Sequence, residues 1–524
     1  MPNFIPYDLN QSEMVVINYQ DQLQPGTLEH AIHHLIEHRL DLSVFFPSYQ
    51  NDATGRCAYH PAILLKIVLF AYSKGITSSR EIQWNCQNNI TFMALACGNV
   101  PHFTTIAAFI SGHAQQVEAI FEQVLLICDS DGLLGKELFA IDGCKMSSNA
   151  AKEWSGTFKE LREKRNKIRR QIKHCIQEHK KADTRTSDGK ERARRLQQKA
   201  ETLNKAADRI DEFLASEQPK IGQGKSKKEI KSNITDNESA KMTTSKGTIQ
   251  GYNGVATVDS KHQIIVDAQA FGHGQEHHTL EPVVITVKER FKRLGIKNNI
   301  FTQKGTKLTA DTGFSNEQNN EFLYKNGINA YIPDNRFRSR DSQFDAQKQK
   351  YGKRKQIGKP KQSATYFTQD DFTFNKRWIT CTCPAGEKLT LTRVADNGYG
   401  KETAYFEGRL LQCRNCPLKN QCMKNPASAD HRQGRGRQVS FIIGQVENKK
   451  SYTDWMKARI DAPDGKDIYS KRMAVVEPVF ANIGANKGLN RFSLRGKTKV
   501  QAQWQLYSLV HNIEKWMNYG PMAA

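Results

Sequence analysis

Three acids in this chain stand where acids are costly. Leu138-Phe139-Ala140-Ile141-Asp142-Gly143 and Lys307-Leu308-Thr309-Ala310-Asp311-Thr312-Gly313 each read as a buried strand that stops at a lone aspartate. A strand that emerges from a core and ends in a carboxylate aims that group into a site. Far downstream, Tyr469-x2-Arg472-x4-Glu477 puts a third acid in a helical stretch, inside the apolar run Met473-Ala474-Val475-Val476-Glu477-Pro478-Val479-Phe480. Pro478 disfavours α geometry at Glu477, which predicts a kink or a helix boundary there. Such a trio suits metal-dependent phosphodiester chemistry. Two hard cations about 3.5–4 Å apart clamp the attacking and leaving oxygens, and Mg2+ prefers carboxylate and water oxygens. Each acid alone has a plainer reading, because aspartate before glycine is a common turn residue and helical glutamates usually face solvent. Competing acids are Asp236, Asp259, Asp267, Glu317 and Glu321, with Asp259 and Asp267 close to an expected hairpin turn.

A second constellation is made of thiols. Cys381-Thr382-Cys383-Pro384 is followed by Cys413-x2-Cys416-x5-Cys422, five cysteines within 42 residues. Four thiolates make a tetrahedral structural Zn2+ site. Cys383, Cys413, Cys416 and Cys422 are the expected ligands, with Cys381 as the spare; reduced structural thiols are the alternative. Arg432, Arg435 and Arg437 nearby suit DNA backbone contact or a solvated loop. His113, His273, His277 and His278 lack partners at helical spacing and read as non-catalytic.

The elements that must position these groups follow from periodicity. Residues 1–130 read as short helices: one opened by His60-Pro61, one behind a Ser78-x-x-Glu81 capping box, one over Asn89–Ala96, and one from Pro101 to about Leu126. That pattern fits a helix-turn-helix DNA-binding domain or a plain bundle used for dimerisation. Residues 131–157 hold the Asp142 strand. Residues 158–218 read as an inserted helical hairpin, with a coiled-coil seam of Leu196, Ala200, Leu203, Ala207, Ile210 and Leu214 facing Leu161, Ile168, Ile172 and Cys175 or Ile176. Residues 219–335, opening on a flexible basic linker, carry a strand hairpin turning near Ser260-Lys261-His262, a helix, the Asp311 strand, a further helix and a short strand Ala330-Tyr331-Ile332. Residues 336–464 form a basic Cys-rich insertion. Residues 465–524 hold the Glu477 helix and a final amphipathic helix. The order is that of a mixed α/β sheet.

Composition narrows the partner. The chain has 524 residues, 77 basic against 54 acidic side chains and a net charge of +23, which favours a polyanion such as nucleic acid. No secretory signal is visible, and the strongest apolar run, Ala62 to Ala71, is interrupted by Lys66 and too short to span a bilayer. A cytoplasmic protein with reduced cysteines is expected.

Taken together, His60-Pro61, Pro101-His102-Phe103-Thr104-Thr105-Ile106, Ile141-Asp142-Gly143, Gly251-Tyr252-Asn253, Ala310-Asp311-Thr312-Gly313-Phe314-Ser315, Tyr331-Ile332-Pro333-Asp334-Asn335, Val476-Glu477-Pro478-Val479-Phe480 and the cysteine cluster give the chain a family likeness. It resembles bacterial insertion-sequence DDE transposases with an RNase H-like, retroviral-integrase-like core and an InsH-type helical N-terminal domain. The resemblance implies that Asp142, Asp311 and Glu477 form the catalytic triad with Mg2+ or Mn2+. It further implies double-stranded DNA as partner (terminal inverted repeats and target), strand cleavage and transfer by in-line attack, a homodimer, and a place at the bacterial nucleoid. One departure concerns the third acid. Related transposases carry Tyr-x2-Arg-x3-Glu-x6-Lys, whereas here Glu477 comes one residue late, Gly484 stands seven beyond it, and the nearest lysine is Lys487. Tyr469, Arg472, Lys487, Arg491 and Arg495 are the expected DNA contacts. A silent DNA-binding descendant, or a nuclease without strand transfer, are the alternatives.

Overall fold

The computed structural model describes residues 16–49, 57–181, 186–222, 227–245, 247–302, 305–344, 366–396, 401–445 and 451–521. The chain divides into two compact units. Met1–Phe314, Asn326–Tyr331 and Asp467–Ala524 make the first, and Ser315–Lys325 with Ile332–Lys466 make the second.

The first unit is built around β1 (Leu138–Ser147). Its leading half is apolar, and Phe139, Ala140 and Ile141 are fully buried. β1 pairs antiparallel with β5 (Gly247–Asp259) and parallel with β7 (Lys307–Ala310). β5 also takes β4 (Ala240–Thr244) and β6 (Ile265–Phe271), both antiparallel, while β8 (Ala330–Tyr331) extends the parallel side beyond β7. The β5–β6 hairpin lies where the sequence predicts it; β4, a short polar strand, was not foreseen.

The N-terminal region is helical and packs largely on the C-terminal helix, which itself lies on β6. α1 (Leu28–His34), α2 (Pro61–Ser73), α3 (Ser79–Asn88), α4 (Ile90–Leu95), α5 (Phe103–Gly112) and α6 (Ala114–Ser130) form the N-terminal region. Pro61 starts α2, where its missing N–H costs nothing, and the His60 ring nitrogen accepts from Ala62 N at 3.3 Å. Lys66, the charge inside the apolar run, is 1% exposed and pairs with Glu37 at 2.7 Å. Two local expectations are corrected. Ser78 precedes α3 without a side-chain cap bond. The helix expected from 101 to 126 breaks at His113, whose non-helical backbone (φ −116°, ψ 41°) ends α5 and whose ring contacts the Phe109 carbonyl at 3.0 Å and packs on Phe45 and Phe109.

The C-terminal helix (Lys497–Tyr519) is buried along most of its length. Its amides finish the free edge of β6. Asn512 both accepts from and donates to the Ile265 backbone at 2.8 Å, and Gln501 bonds Ala270 N and Ala268 O at 2.6 Å. An open strand edge is a template for unwanted pairing, and here side-chain amides replace the missing strand. Trp504 donates to Val255 O at 3.0 Å and Trp516 to Asp131 at 2.7 Å.

The predicted hairpin insertion is present as α7 (Phe158–Lys181) and α8 (Ser187–Ser216). Phe158, Leu161, Ile168, Ile172, Ala207, Ile210 and Phe213 form its core. Arg165–Asp211 and Arg192–Glu178 ion pairs set the helices antiparallel. Cys175 rather than Ile176 faces inward. The sequence places the hairpin turn at Thr184-Arg185-Thr186-Ser187-Asp188-Gly189, of which Thr184 and Arg185 lie outside the described residues. The stretch read as a linker is in part ordered, because β3 (Ser232–Asn233) pairs with β2 (Ser155–Gly156) and ties the base of the insertion together.

The second unit holds a structure the sequence reading missed. Strands Thr373–Asn375, Thr380–Thr382, Lys388–Asp396, Lys401–Glu407 and Gln438–Gln445 form a five-stranded antiparallel meander. Its small core is Phe372, Cys381, Leu389, Ala404, Phe406 and Phe441. Among the described residues no helix is long and apolar enough to cross a membrane.

One buried cation ties α9 (Leu280–Arg293) to the sheet and to α6. Arg290 is 1% exposed; it pairs with Asp267, with Glu118 and Glu122 at 3.1 Å each, and donates to Val266 O. Removing one partner leaves the other buried and unpaired. Arg290→Met is expected to cost about 3–5 kcal/mol in denaturant unfolding, with part recovered in Arg290→Met/Asp267→Asn. A loss under about 1 kcal/mol, the range of a surface pair, would contradict this role.

Candidate active site

Asp142 and Asp311 are brought together by strand register. β1 and β7 run parallel with Ile141 opposite Ala310, so the two aspartates are the next residues on neighbouring strands. β7 then stops, and Thr312–Phe314 turns away as a single 3-10 turn. β1 does not stop at Asp142 as its sequence suggests. It continues to Ser147 against β5, with Asp142 opposite Ala256. Asp142 therefore marks the point where one neighbour of β1 leaves and its edge opens.

Gly143 is required next to it, since a Cβ there would meet Asn253 Oδ1 at 2.9 Å. The Asp142 carboxylate accepts from Gly143 N at 2.9 Å and pairs with Arg472 at 2.7 Å. Burial pushes the Asp142 carboxyl up to about 6; the Arg472 charge and the Gly143 N–H oppose the rise, and the charges of Asp311 and Glu276 add to it.

Glu276 is an acid the sequence reading passed over. It opens the 3-10 turn Glu276–His278 between β6 and α9, ion-pairs with Lys145 at 3.4 Å, and lies against Gly313. The stretch Gly272–His278 drew notice for its histidines, and nothing in its spacing singles out the acid among them. The His277 and His278 rings lie 4.1 Å apart, tilted by 53°; burial lowers both rings' proton affinity.

The helix Pro463–Ala481 carries Tyr469, Arg472 and Glu477. Arg472 is 6% exposed and turned to Asp142, with Val475, Val476 and Val479 also buried. Tyr469 is half-buried and Glu477 is exposed. Arg472 is the residue of this helix that meets Asp142. The helix also runs through Pro478 without the expected boundary. Pro478 cannot donate to the Ala474 carbonyl, and Gln263 Nε2 supplies that bond at 2.9 Å. The backbone changes only afterwards, to a π turn over Asn482–Asn486.

The expected phosphate contacts divide. Lys487 is 2% exposed, held by Glu514 at 2.6 Å and Asn482 at 3.2 Å, so it is a buried structural cation as placed and not open to DNA. Arg472 is likewise engaged inside the site. Arg491 and Arg495 are exposed, and both reach Asn149 just past the end of β1.

Each competing acid has a structural task. Asp259 accepts from three backbone N–H groups (Gly135, Lys136, Lys261), Asp267 pairs with Arg290, and Asp236 accepts from Tyr252 at 2.8 Å. In the second unit, Glu317 caps the helix Tyr452–Asp461 through the N–H groups of Tyr452 and Thr453, and Glu321 pairs with Lys325.

In the second unit Cys383, Cys413, Cys416 and Cys422 line one small cavity with Lys419 and Arg437. Burial raises the Cys422 thiol, Arg437 lowers it, and the other three thiols raise it further. Cys381 instead lies 1% exposed in the meander core. As placed, no three or more His, Cys, Asp or Glu side chains among the described residues stand in position to hold a metal ion.

Two family models match the chain. Residues 17–112, which take in α1 to α5, match a transposase domain (DUF772), and residues 382–517, from the cysteine region through Glu477 into the C-terminal helix, match a transposase DDE domain. No curated protein matches significantly. The DDE domain implies an RNase H-like core and a DNA substrate, and enzymes of this class generally use divalent metals such as Mg2+. One match falls at each end of the chain, and together they indicate an insertion-sequence DDE transposase.

Proposed function

We propose that this transposase binds the terminal inverted repeats of its own element as a homodimer, cleaves the ends, and joins the freed strands to target DNA at the bacterial nucleoid. One observation carries the reading: Asp142 and Asp311 leave neighbouring parallel strands at the same level. The order β6-β5-β1-β7-β8, with β7 and β8 parallel to β1, supports an RNase H-like core.

The donor set suits a hard divalent ion in being carboxylate oxygen. Asp142, Asp311 and Glu477 would hold Mg2+ or Mn2+, which supplies neutralisation of the charge that grows on the phosphate. Arg472 keeps Asp142 paired in the metal-free protein, Tyr469 lies beside it on the same helix, and Arg491 and Arg495 suit DNA phosphates. Hydrolysis would break one phosphodiester at the element end and free a 3′-hydroxyl. That hydroxyl would then attack a target phosphate and displace a target 3′-oxygen, one bond forming as one breaks.

Asp142→Asn, Asp311→Asn and Glu477→Gln are each expected to slow Mg2+-dependent cleavage of DNA bearing the element's ends by at least about 100-fold, with end binding kept in a gel-shift assay. A Glu477→Gln enzyme as active as the wild type would move the third acid elsewhere. Free ends without joined product would make the chain a nuclease, and binding without any cleavage by the wild type would make it a silent DNA-binding protein.

A pH dependence follows from Asp142. Its carboxyl in the metal-free protein is ionised above about 6 and protonated below, and a bound cation must displace that proton. Mn2+ affinity measured by calorimetry is expected to level off above about pH 7 and to fall toward tenfold per unit below about pH 6. A flat affinity between pH 5 and 7 would remove Asp142 from the ion's ligands.

For the cysteine cavity the reading is a structural Zn2+ site of Cys383, Cys413, Cys416 and Cys422, with the Arg437 charge favouring the thiolate of Cys422. Elemental analysis is expected to find one zinc per chain. Cys416→Ser is expected to lose it and to melt at a lower temperature, while Cys381→Ser keeps it. A metal-free wild type with unchanged melting after chelation would leave the cysteines as plain reduced thiols.

A further inference from the structure

The inserted hairpin carries its charge unevenly. α7 holds ten Lys and Arg against three Glu, whereas α8 holds seven against six Asp and Glu. The apolar seam fixes which way α7 faces, because Phe158, Leu161, Ile168 and Ile172 share one core with Ala207, Ile210 and Phe213. Acids near the seam take the cations that flank it: Asp211 pairs with Arg165 and Arg169, and Glu178 with Lys181 and Arg192. Lys159, Arg162, Lys167, Arg170, Lys173 and Lys180 are left over. Each is exposed, and none makes an ion pair among the described residues. Helical spacing puts them on the side of α7 away from the seam, along about 30 Å of helix, with Glu163 the one acid among them. Such a face is costly to the helix alone. Lys159 and Arg162, Lys167 and Arg170, and Arg170 and Lys173 are like charges three residues apart, which repel. Lys159 and Arg162 also stand in the first turns, where the helix dipole favours acids. A face that served only solubility would mix the signs, as α8 does.

We propose that the outward face of α7 is a second DNA-binding surface, which grips the phosphates of duplex DNA outside the segment being cut. The inference rests on the reading of the chain as a transposase and adds an element that holds DNA away from the acids. The hairpin springs from the strand that carries Asp142. Asn149, contacted by the exposed Arg491 and Arg495, lies just ahead of β2 and α7. A stripe of about 30 Å matches roughly one turn of duplex. Cations on a straight helix suit contacts to the phosphate backbone, which position the duplex and carry no sequence information. A second copy of this chain presenting the same face across a two-fold axis would be repelled.

The test is binding of the full chain to duplex DNA carrying the element's ends and flanks, read by fluorescence anisotropy without divalent metal over a range of salt. Arg162→Gln/Lys167→Gln/Arg170→Gln/Lys173→Gln is compared with Lys190→Gln/Arg194→Gln/Lys205→Gln/Arg209→Gln, which removes the same charge from α8. All eight side chains are exposed, so both variants are expected to melt as the wild type does. The α7 variant is expected to bind at least about tenfold more weakly near 0.1 M salt. It is also expected to flatten the dependence of log affinity on log salt by about 3. The α8 variant is expected to change either quantity little. Wild-type affinity and slope in the α7 variant, or an equal loss in the α8 variant, would overturn the proposal. So would a changed oligomeric state in sedimentation with affinity for DNA unaltered, which would make the face a protein interface. Asp142→Asn separates the two ideas. If it abolishes cleavage while the α7 variant binds as the wild type does, only the α7 surface falls; if the wild type binds no duplex DNA, the transposase reading falls with it.

Discussion

The parallel register of β1 and β7 is the constraint on which the site depends. In a parallel pair, residues at equal distance along the two strands emerge at equal height. Pairing Ile141 with Ala310 therefore fixes Asp142 and Asp311 as neighbours before any side chain contributes. A slip of one residue would send one aspartate to the opposite face of the sheet. Apolar burial favours the register: Phe139, Ile141, Leu308 and Ala310 are all fully enclosed, and a slip that drew either strand inward by one residue would put Asp142 or Asp311 in an enclosed position.

The same packing that fixes the aspartates makes them costly. A carboxylate near the core, with other acids around it, is disfavoured in its charged form. The protein offsets this with Arg472, itself nearly buried. Such a pair is poor evidence for stability, because desolvation cancels much of the attraction. It is better understood as holding charge in place. The surroundings of Arg472 are firm, since the helix that carries it is kept continuous across Pro478 by the Gln263 amide. Gln263 is in turn tied to the C-terminal helix through His511 and Lys515. A short chain of hydrogen bonds thus links the β5–β6 turn, the C-terminal helix and the element that faces Asp142.

Much of this was legible in the sequence, for reasons that can be named. Asp142 and Asp311 announce themselves because each interrupts an apolar run, and an unpaired acid in such a place needs an explanation. The helical hairpin was legible because its seam repeats over many turns. The five-stranded meander was not, because strands such as Lys388–Asp396 are exposed along most of their length and carry little alternation. Lys487 shows the opposite error. A lysine near a candidate site invites a phosphate, but only the fold reveals Glu514 waiting beneath it. Glu276 was passed over because its place beside Gly313 is set by contact between distant segments, which leaves no signature in either.

The account stands on a divalent ion between Asp142 and Asp311. The most direct test is diffraction from crystals of the full chain soaked in Mn2+, read by the anomalous signal of the metal. The account predicts a peak within coordinating distance of carboxylate oxygens from both aspartates, lost in Asp311→Asn. A well-ordered site with no peak there, or a peak held by neither aspartate, would contradict it.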